Sequence, residues 1–180
     1  MQNIKEGDAV IFRGRSIANW LIRFITRGEV DHVAYALNNT YIIETNWGPG
    51  VTVTPISKYL SKRRKIWVGT IKGATQEDIK ETTAWMQKQV GEKYDRIQIL
   101  TMFFHRLTGT HDKKTLLDPK SIDVCSTLLG VGWRKRGFVF KENVAISNLS
   151  PQDIFDSPIV NVRKCEILSP TTKHLFSTRA

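Results

Sequence analysis

A chain of 180 residues, 41% hydrophobic and 24% charged, is long enough for one domain with a sizeable core and too apolar for a disordered segment. Its 27 lysines and arginines against 17 acidic residues leave a net charge of +10, which favours a polyanionic partner (nucleic acid, an anionic membrane face or an acidic cell-wall polymer) without choosing among them. The two cysteines, Cys125 and Cys165, exclude a disulfide framework and a zinc-type spacing. The N-terminus lacks a signal-peptide apolar run, and the apolar stretch 97–104 is too short to cross a bilayer. The expectation is a soluble chain made in the cytoplasm, for which action beyond the membrane would need separate delivery, as a phage-encoded protein carried in a particle would have.

In chain order, Gly7-Asp8 signals a turn and residues 9–12 a short strand. In 16–25, Ile17, Trp20, Leu21, Phe24 and Ile25 recur at helical spacing behind Ser16 as cap, which predicts an amphipathic helix with its apolar face on the core; Arg15, Arg23 and Arg27 flank that face. Such a helix could also lie on a membrane surface. Residues 30–37 and 41–45 read as strands joined at Asn38-Asn39-Thr40, a tight hairpin whose asparagines tolerate positive φ. Residues 51–54 and 66–71 add two strands, with a short helix over 55–60 and a basic loop over 61–65 between them. Thr75 opens a helix that runs to Val90, with Asp78 completing a capping box and Ile79, Thr83, Met86 and Val90 as its stripe. A helix over 95–107, an exposed loop over 108–120, a helix started by Ser150-Pro151 and a strand over 159–167 complete an α+β chain: a small antiparallel sheet with helices against it. One domain over 1–168 and a loosely ordered tail over 169–180 are expected.

The most informative stretch is 121–137, SIDVCSTLLGVGWRKRG. It reads as a helix with Cys125 in its first turn, Asp123 as N-cap, and Arg134, Lys135 and Arg136 before a terminating Gly137. A thiol at a helix N-terminus is drawn toward thiolate, the nucleophilic form. An isolated cysteine is more often a small buried apolar residue, so the nucleophile reading requires a base. His32, beside Asp31, lies in a predicted strand. Alternation sets His32, Ala34 and Ala36 on one face, where two alanines leave room for another element. Glu44 lies on the next strand, where its carboxylate could reach the ring. Taken singly, each residue has an ordinary structural explanation; the set is harder to dismiss. His105, His111 and His174 fit the surface. No cofactor or metal is implied.

These residues resemble the circularly permuted branch of the NlpC/P60 superfamily, the papain-like cysteine hydrolases that include YiiX/YebB-like proteins. Gly7-Asp8, Asp31-His32-Val33-Ala34, Glu44 before Gly50-Val51, Cys125-Ser126 and Ser150-Pro151-Gln152-Asp153 carry the likeness over residues 7–157, in the permuted order His, acid, Cys. Thr127-Leu128-Leu129 departs from the usual Glu-Leu-Val, and the 108–120 loop is outside the shared pattern. The resemblance implies a Cys125-His32-Glu44 triad, an oxyanion hole from the Cys125 backbone N–H with help from Tyr94, and amide bonds of peptidoglycan peptides as substrate. A lipid acyl hydrolase or acyltransferase of lecithin–retinol type at a membrane surface is a second reading. A non-enzymatic basic module for nucleic acid or a virion component, contacting through Lys62–Lys65 and Lys113-Lys114, is a third, disfavoured by the lack of a zinc-finger, RNP or helix-turn-helix signature.

Overall fold

The computed structural model describes residues 4–14, 19, 20, 23, 24, 27–46, 49–60, 65–93 and 125–165. Within them lies a six-stranded sheet made of β1 (Ala9–Arg13), β2 (His32–Ala36), β3 (Tyr41–Asn46), β4 (Gly50–Pro55), β5 (Lys65–Ile71) and β6 (Val160–Lys164). The order is β4-β3-β2-β1-β5-β6, and every neighbouring pair is antiparallel. The helices are α1 (Ser57–Leu60), α2 (Gln76–Lys88), α3 (Cys125–Arg134) and α4 (Pro151–Phe155), with a 3-10 turn at Ile146–Asn148. The expected α+β architecture is thus present.

The central strands are apolar at successive positions because both faces of the sheet are covered. On one face Ile11, Val33, Tyr35 and Ile43 pack with Met86 of α2 and with Leu128, Leu129 and Trp133 of α3. On the other, Val10, Phe12, Ala34, Ala36 and Ile42 pack with Ile56 and Tyr59. The small side chains of Ala34 and Ala36 therefore admit α1, while the cysteine-bearing helix lies on the Val33/Tyr35 face.

Several local expectations hold in detail. Thr75 caps α2 through a reciprocal box with Asp78, and Ser150 caps α4 the same way with Asp153, Pro151 following at the first helical position. Gly137 closes the turn after α3 at φ +83°. Others are corrected. β2 starts at His32, so the histidine opens its strand. The 38–40 turn uses no positive φ; the Asn38 Oδ1 instead accepts from the Thr40 and Tyr41 N–H groups at 2.8 and 2.9 Å. Val90 falls beyond α2 and is exposed. Residues 19, 20, 23 and 24 are helical, but Trp20 and Phe24 are 55% and 64% exposed, so the core-facing expectation fails for them. The inward positions are Asn19 and Arg23, whose side chains reach the buried Asp31 carboxylate. The expected helix over 95–107, the loop over 108–120, Tyr94, Asp123, Lys62, Lys113, Lys114, His105, His111 and His174 lie outside the described residues.

Two tight contacts fix how the late part of the chain meets the early part. Gly132 brings α3 against α2: a Cβ there would stand 2.6 Å from Met86 Cε and 3.2 Å from the Trp85 ring. Gln152 of α4 reaches back to the segment before β2, where its Oε1 accepts from the Glu29 and Val30 N–H groups at 2.6 and 3.3 Å. The Gly132 contact has a direct test. Gly132→Val should lower the unfolding free energy by about 2 kcal/mol through overpacking. Gly132→Ala should be much closer to neutral, because the end of Met86 can yield and alanine favours the helix. Urea titration of the two variants reads the difference.

Candidate active site

His32 enters β2 opposite Phe12 of β1. On its other side β2 pairs with β3 in the register Tyr35↔Ile43 and Ala36↔Ile42. Continued toward the end of β3, this register sets His32 across from Asn46 and Glu44 on the diagonal, within reach of a long side chain. The His32 Nε2 and the Glu44 Oε2 are 2.8 Å apart. Glu44 is fully buried. Its carboxylate also accepts from the Tyr59 hydroxyl, 2.6 Å from both oxygens, and from the Asn46 Nδ2 at 2.9 Å. Asn46 donates in addition to the Thr52 Oγ1 at 2.9 Å, and the Lys58 Nζ stands 3.9 Å from the Glu44 Oε1.

The third expected residue arrives from the opposite face. Cys125 begins α3 and is buried, near enough to the His32 ring to raise the imidazole pKa through its charge and side-chain hydrogen bonding. The helix start is tied down by the Ser126 hydroxyl, which donates to the Leu149 carbonyl at 2.5 Å. Asp31, although next to His32, serves the backbone instead. Its carboxylate accepts from the Gly14 N–H at 2.9 and 3.1 Å, the Asn19 Nδ2 at 2.7 Å and the Arg23 guanidinium. That knot holds the loop after β1 against the strand end that bears His32. Cys125, His32 and Glu44 therefore meet, and Tyr94 falls outside the described residues.

The charges reinforce one another. His32 is pushed up to about 10 from an ordinary 6.5. Burial is the largest single influence and pulls it down; the charge of and hydrogen bond to Cys125, and then those of Glu44, outweigh it. Glu44 is brought down to about 2 from an ordinary 4.5. Burial again opposes, and the hydrogen bonds and charge of His32, followed by the hydrogen bonds of Tyr59 and Asn46, reverse it. Sequence reasoning missed Tyr59 and Asn46. Asn46 was within reach, since it lies two residues beyond Glu44 on the same strand face. Tyr59 sits in a one-turn helix whose docking no periodicity encodes.

A sheet backed by helices, with a cysteine at the described start of one helix and a histidine at the start of a strand, is what the family resemblance implies. The chain belongs to the family described as permuted papain-like amidase enzyme, YaeF/YiiX, C92, whose model matches residues 3–101, 99 of the 180. It is accordingly an amide-cleaving enzyme of papain-like, cysteine-hydrolase type. The matched span contains His32 and Glu44 and ends before Cys125. Among solved structures the chain is similar to the metalloprotein yiiX from Escherichia coli O157:H7, at 18% identity over 90% of this chain and 97% of that one, with a TM-score of 0.55. At that identity the likeness concerns the fold. No curated protein matches the chain.

The two shifts define a pH window. Raised above its unfolded value, His32 contributes stability that is complete below about 6.5 and is lost as the pH rises toward 10. Lowered below its own, Glu44 contributes stability that is complete above about 4.5 and is lost as the pH falls toward 2. The difference in unfolding free energy between wild type and Glu44→Gln should therefore be largest between pH 4.5 and 6.5 and shrink on both sides. A flat difference in urea titrations from pH 3 to 10 (roughly the span of the two transitions) would contradict the pairing.

Proposed function

We propose that this protein is a cysteine hydrolase that cleaves amide bonds in peptidoglycan peptides, with Cys125 as nucleophile, His32 as proton carrier and Glu44 as the group that orients and charges His32. The observation that carries this reading is the position of the imidazole, which is bonded at Nε2 by a buried carboxylate and lies near enough to the Cys125 side chain for it to raise the imidazole pKa. With Nε2 engaged, the exchangeable proton is carried on Nδ1. A histidine that stays protonated through neutral pH is the counter-ion a thiolate needs.

The thiolate attacks the amide carbonyl carbon, and the carbonyl π electrons move onto oxygen. The backbone N–H of Cys125, in the first described turn of α3, donates to that oxyanion. Tyr94 supplies a second donor on the strength of the family resemblance. Collapse of the intermediate breaks the C–N bond as His32 delivers its proton to the leaving amine. The resulting thioester is hydrolysed by a water that His32 deprotonates, which restores thiolate and imidazolium.

The NlpC/P60 likeness of the motifs supports cell-wall peptides as substrate, and a net charge of +10 favours adsorption to anionic wall polymer. The E. coli structure is described as a metalloprotein, but a resident metal does not fit the Glu44 cluster here. Both Glu44 oxygens already accept from His32, Tyr59 and Asn46, which a cation would have to displace. Among the described residues no group of three or more His, Cys, Asp or Glu is arranged to hold an ion.

Exposed, stacked Trp20 and Phe24 rings, 5.4 Å apart, favour a second reading in which the same chemistry acts on an acyl group at a lipid surface. Two measurements separate the readings. Cys125→Ala should reduce amine release from purified peptidoglycan by about a thousandfold or more while the thermal unfolding curve stays in place; full activity in that variant would eliminate the mechanism. Co-sedimentation with anionic vesicles that is lost in Trp20→Ala/Phe24→Ala, together with no release from peptidoglycan, would move the substrate to lipid.

A further inference from the structure

Tyr59 is a buried hydroxyl that the mechanism above does not use. A tyrosine that merely filled the space beside Ile56 and Phe12 could be phenylalanine, since a buried hydroxyl is costly unless it is bonded. Here the hydroxyl donates to the Glu44 carboxylate, at 2.6 Å from each oxygen. The ring is placed independently: it lies 4.6 Å from the Phe12 ring, and Phe12 in turn lies 5.6 Å from the His32 ring. Phe12, Tyr59, Glu44 and His32 thus form a closed circuit of two ring contacts and two hydrogen bonds.

We infer that Tyr59 is a positioning residue for the His32 proton carrier: its hydroxyl fixes the rotation of the Glu44 carboxylate so that Oε2 remains aimed at Nε2. The inference rests on the cysteine-hydrolase reading. A glutamate has three side-chain torsions, the last of them broad, and one bond to His32 would leave the carboxylate free to turn. Asn46 holds Oε1 from the same strand, and Tyr59, from α1, spans both oxygens. Among the described residues, the charged and titratable groups that face Glu44 are His32 from β2, and Tyr59 and Lys58 from α1; Cys125 from α3 faces His32. Lys58 does not replace the hydroxyl: its Nζ lies 3.9 Å from Oε1, beyond hydrogen-bonding distance, and its side chain is half exposed. The class of residue at this position is therefore set by the proton transfer it supports as well as by packing.

The test is Tyr59→Phe, which removes one oxygen and keeps the ring against Phe12. The expected result is a kcat about tenfold lower at unchanged KM on peptidoglycan peptides, a rise in the Glu44 carboxyl pKa by carbon NMR, and broadening of the downfield His32 Nε2–H proton signal in the resting protein. An unchanged kcat with an unchanged imidazole signal overturns the proposal. If Tyr59→Phe fails to fold, 3,5-difluorotyrosine at position 59 keeps the ring and hydroxyl but donates more strongly. It should displace the same signal, and no displacement overturns the proposal. The NMR readouts need no turnover, so they decide the role of Tyr59 even if Cys125→Ala proves fully active and the hydrolase reading falls.

Discussion

The structure depends on a full negative charge placed where no water reaches it. A carboxylate taken wholly out of solvent costs several kcal/mol unless its lone pairs are engaged. Glu44 meets that requirement with an imidazole, a phenol and an amide, drawn from β2, α1 and its own strand. Each of these donors reaches the carboxylate under one strand register. A slip of a single residue between β2 and β3 would turn Glu44 to the α3 face, away from Tyr59 and His32. The demand of one buried charge therefore specifies the pairing of the sheet and the docking of a four-residue helix.

The sulfur is positioned by different means. α3 carries little charge in its body and lies flat on the Val33/Tyr35 face, with Leu128, Leu129 and Trp133 buried against it. Glycines within the helix, unfavourable for helix formation in isolation, let it approach α2 and the Leu149 segment closely. The helix body is thus fixed by packing, and its first residue is presented at the strand end where His32 emerges. Rigid elements on two faces of a sheet converge at its rim, which gives a reactive centre more precise geometry than loops would supply.

What was legible in the sequence followed from short-range rules. The two capping boxes, the alternation of β2, the helix opened by Cys125 and the His32–Glu44 partnership all depend on spacings of two to four residues or on one hairpin. The errors arose where the deciding contact was distant. Trp20 and Phe24 have the spacing of a core face, yet Asn19 and Arg23 turn inward because Asp31, a buried acid beyond the helix, needs their donors. Helical periodicity weighs apolar area and has no representation of an ion pair waiting elsewhere in the chain. Tyr59 was invisible for a related reason: in so short a helix, a tyrosine aimed at a carboxylate and one filling a hole look the same.

The bond from Gln152 to the Glu29 and Val30 N–H groups joins residues more than 120 positions apart. Those two amides lie immediately ahead of the histidine strand, and the sulfur itself arrives only at residue 125. A chain still emerging from the ribosome can therefore pair its early strands and seat the carboxylate, but it has neither the thiol nor the late brace. The permuted order of the chain thus sets the imidazole and carboxylate well ahead of the thiol and of the brace that holds their strand end.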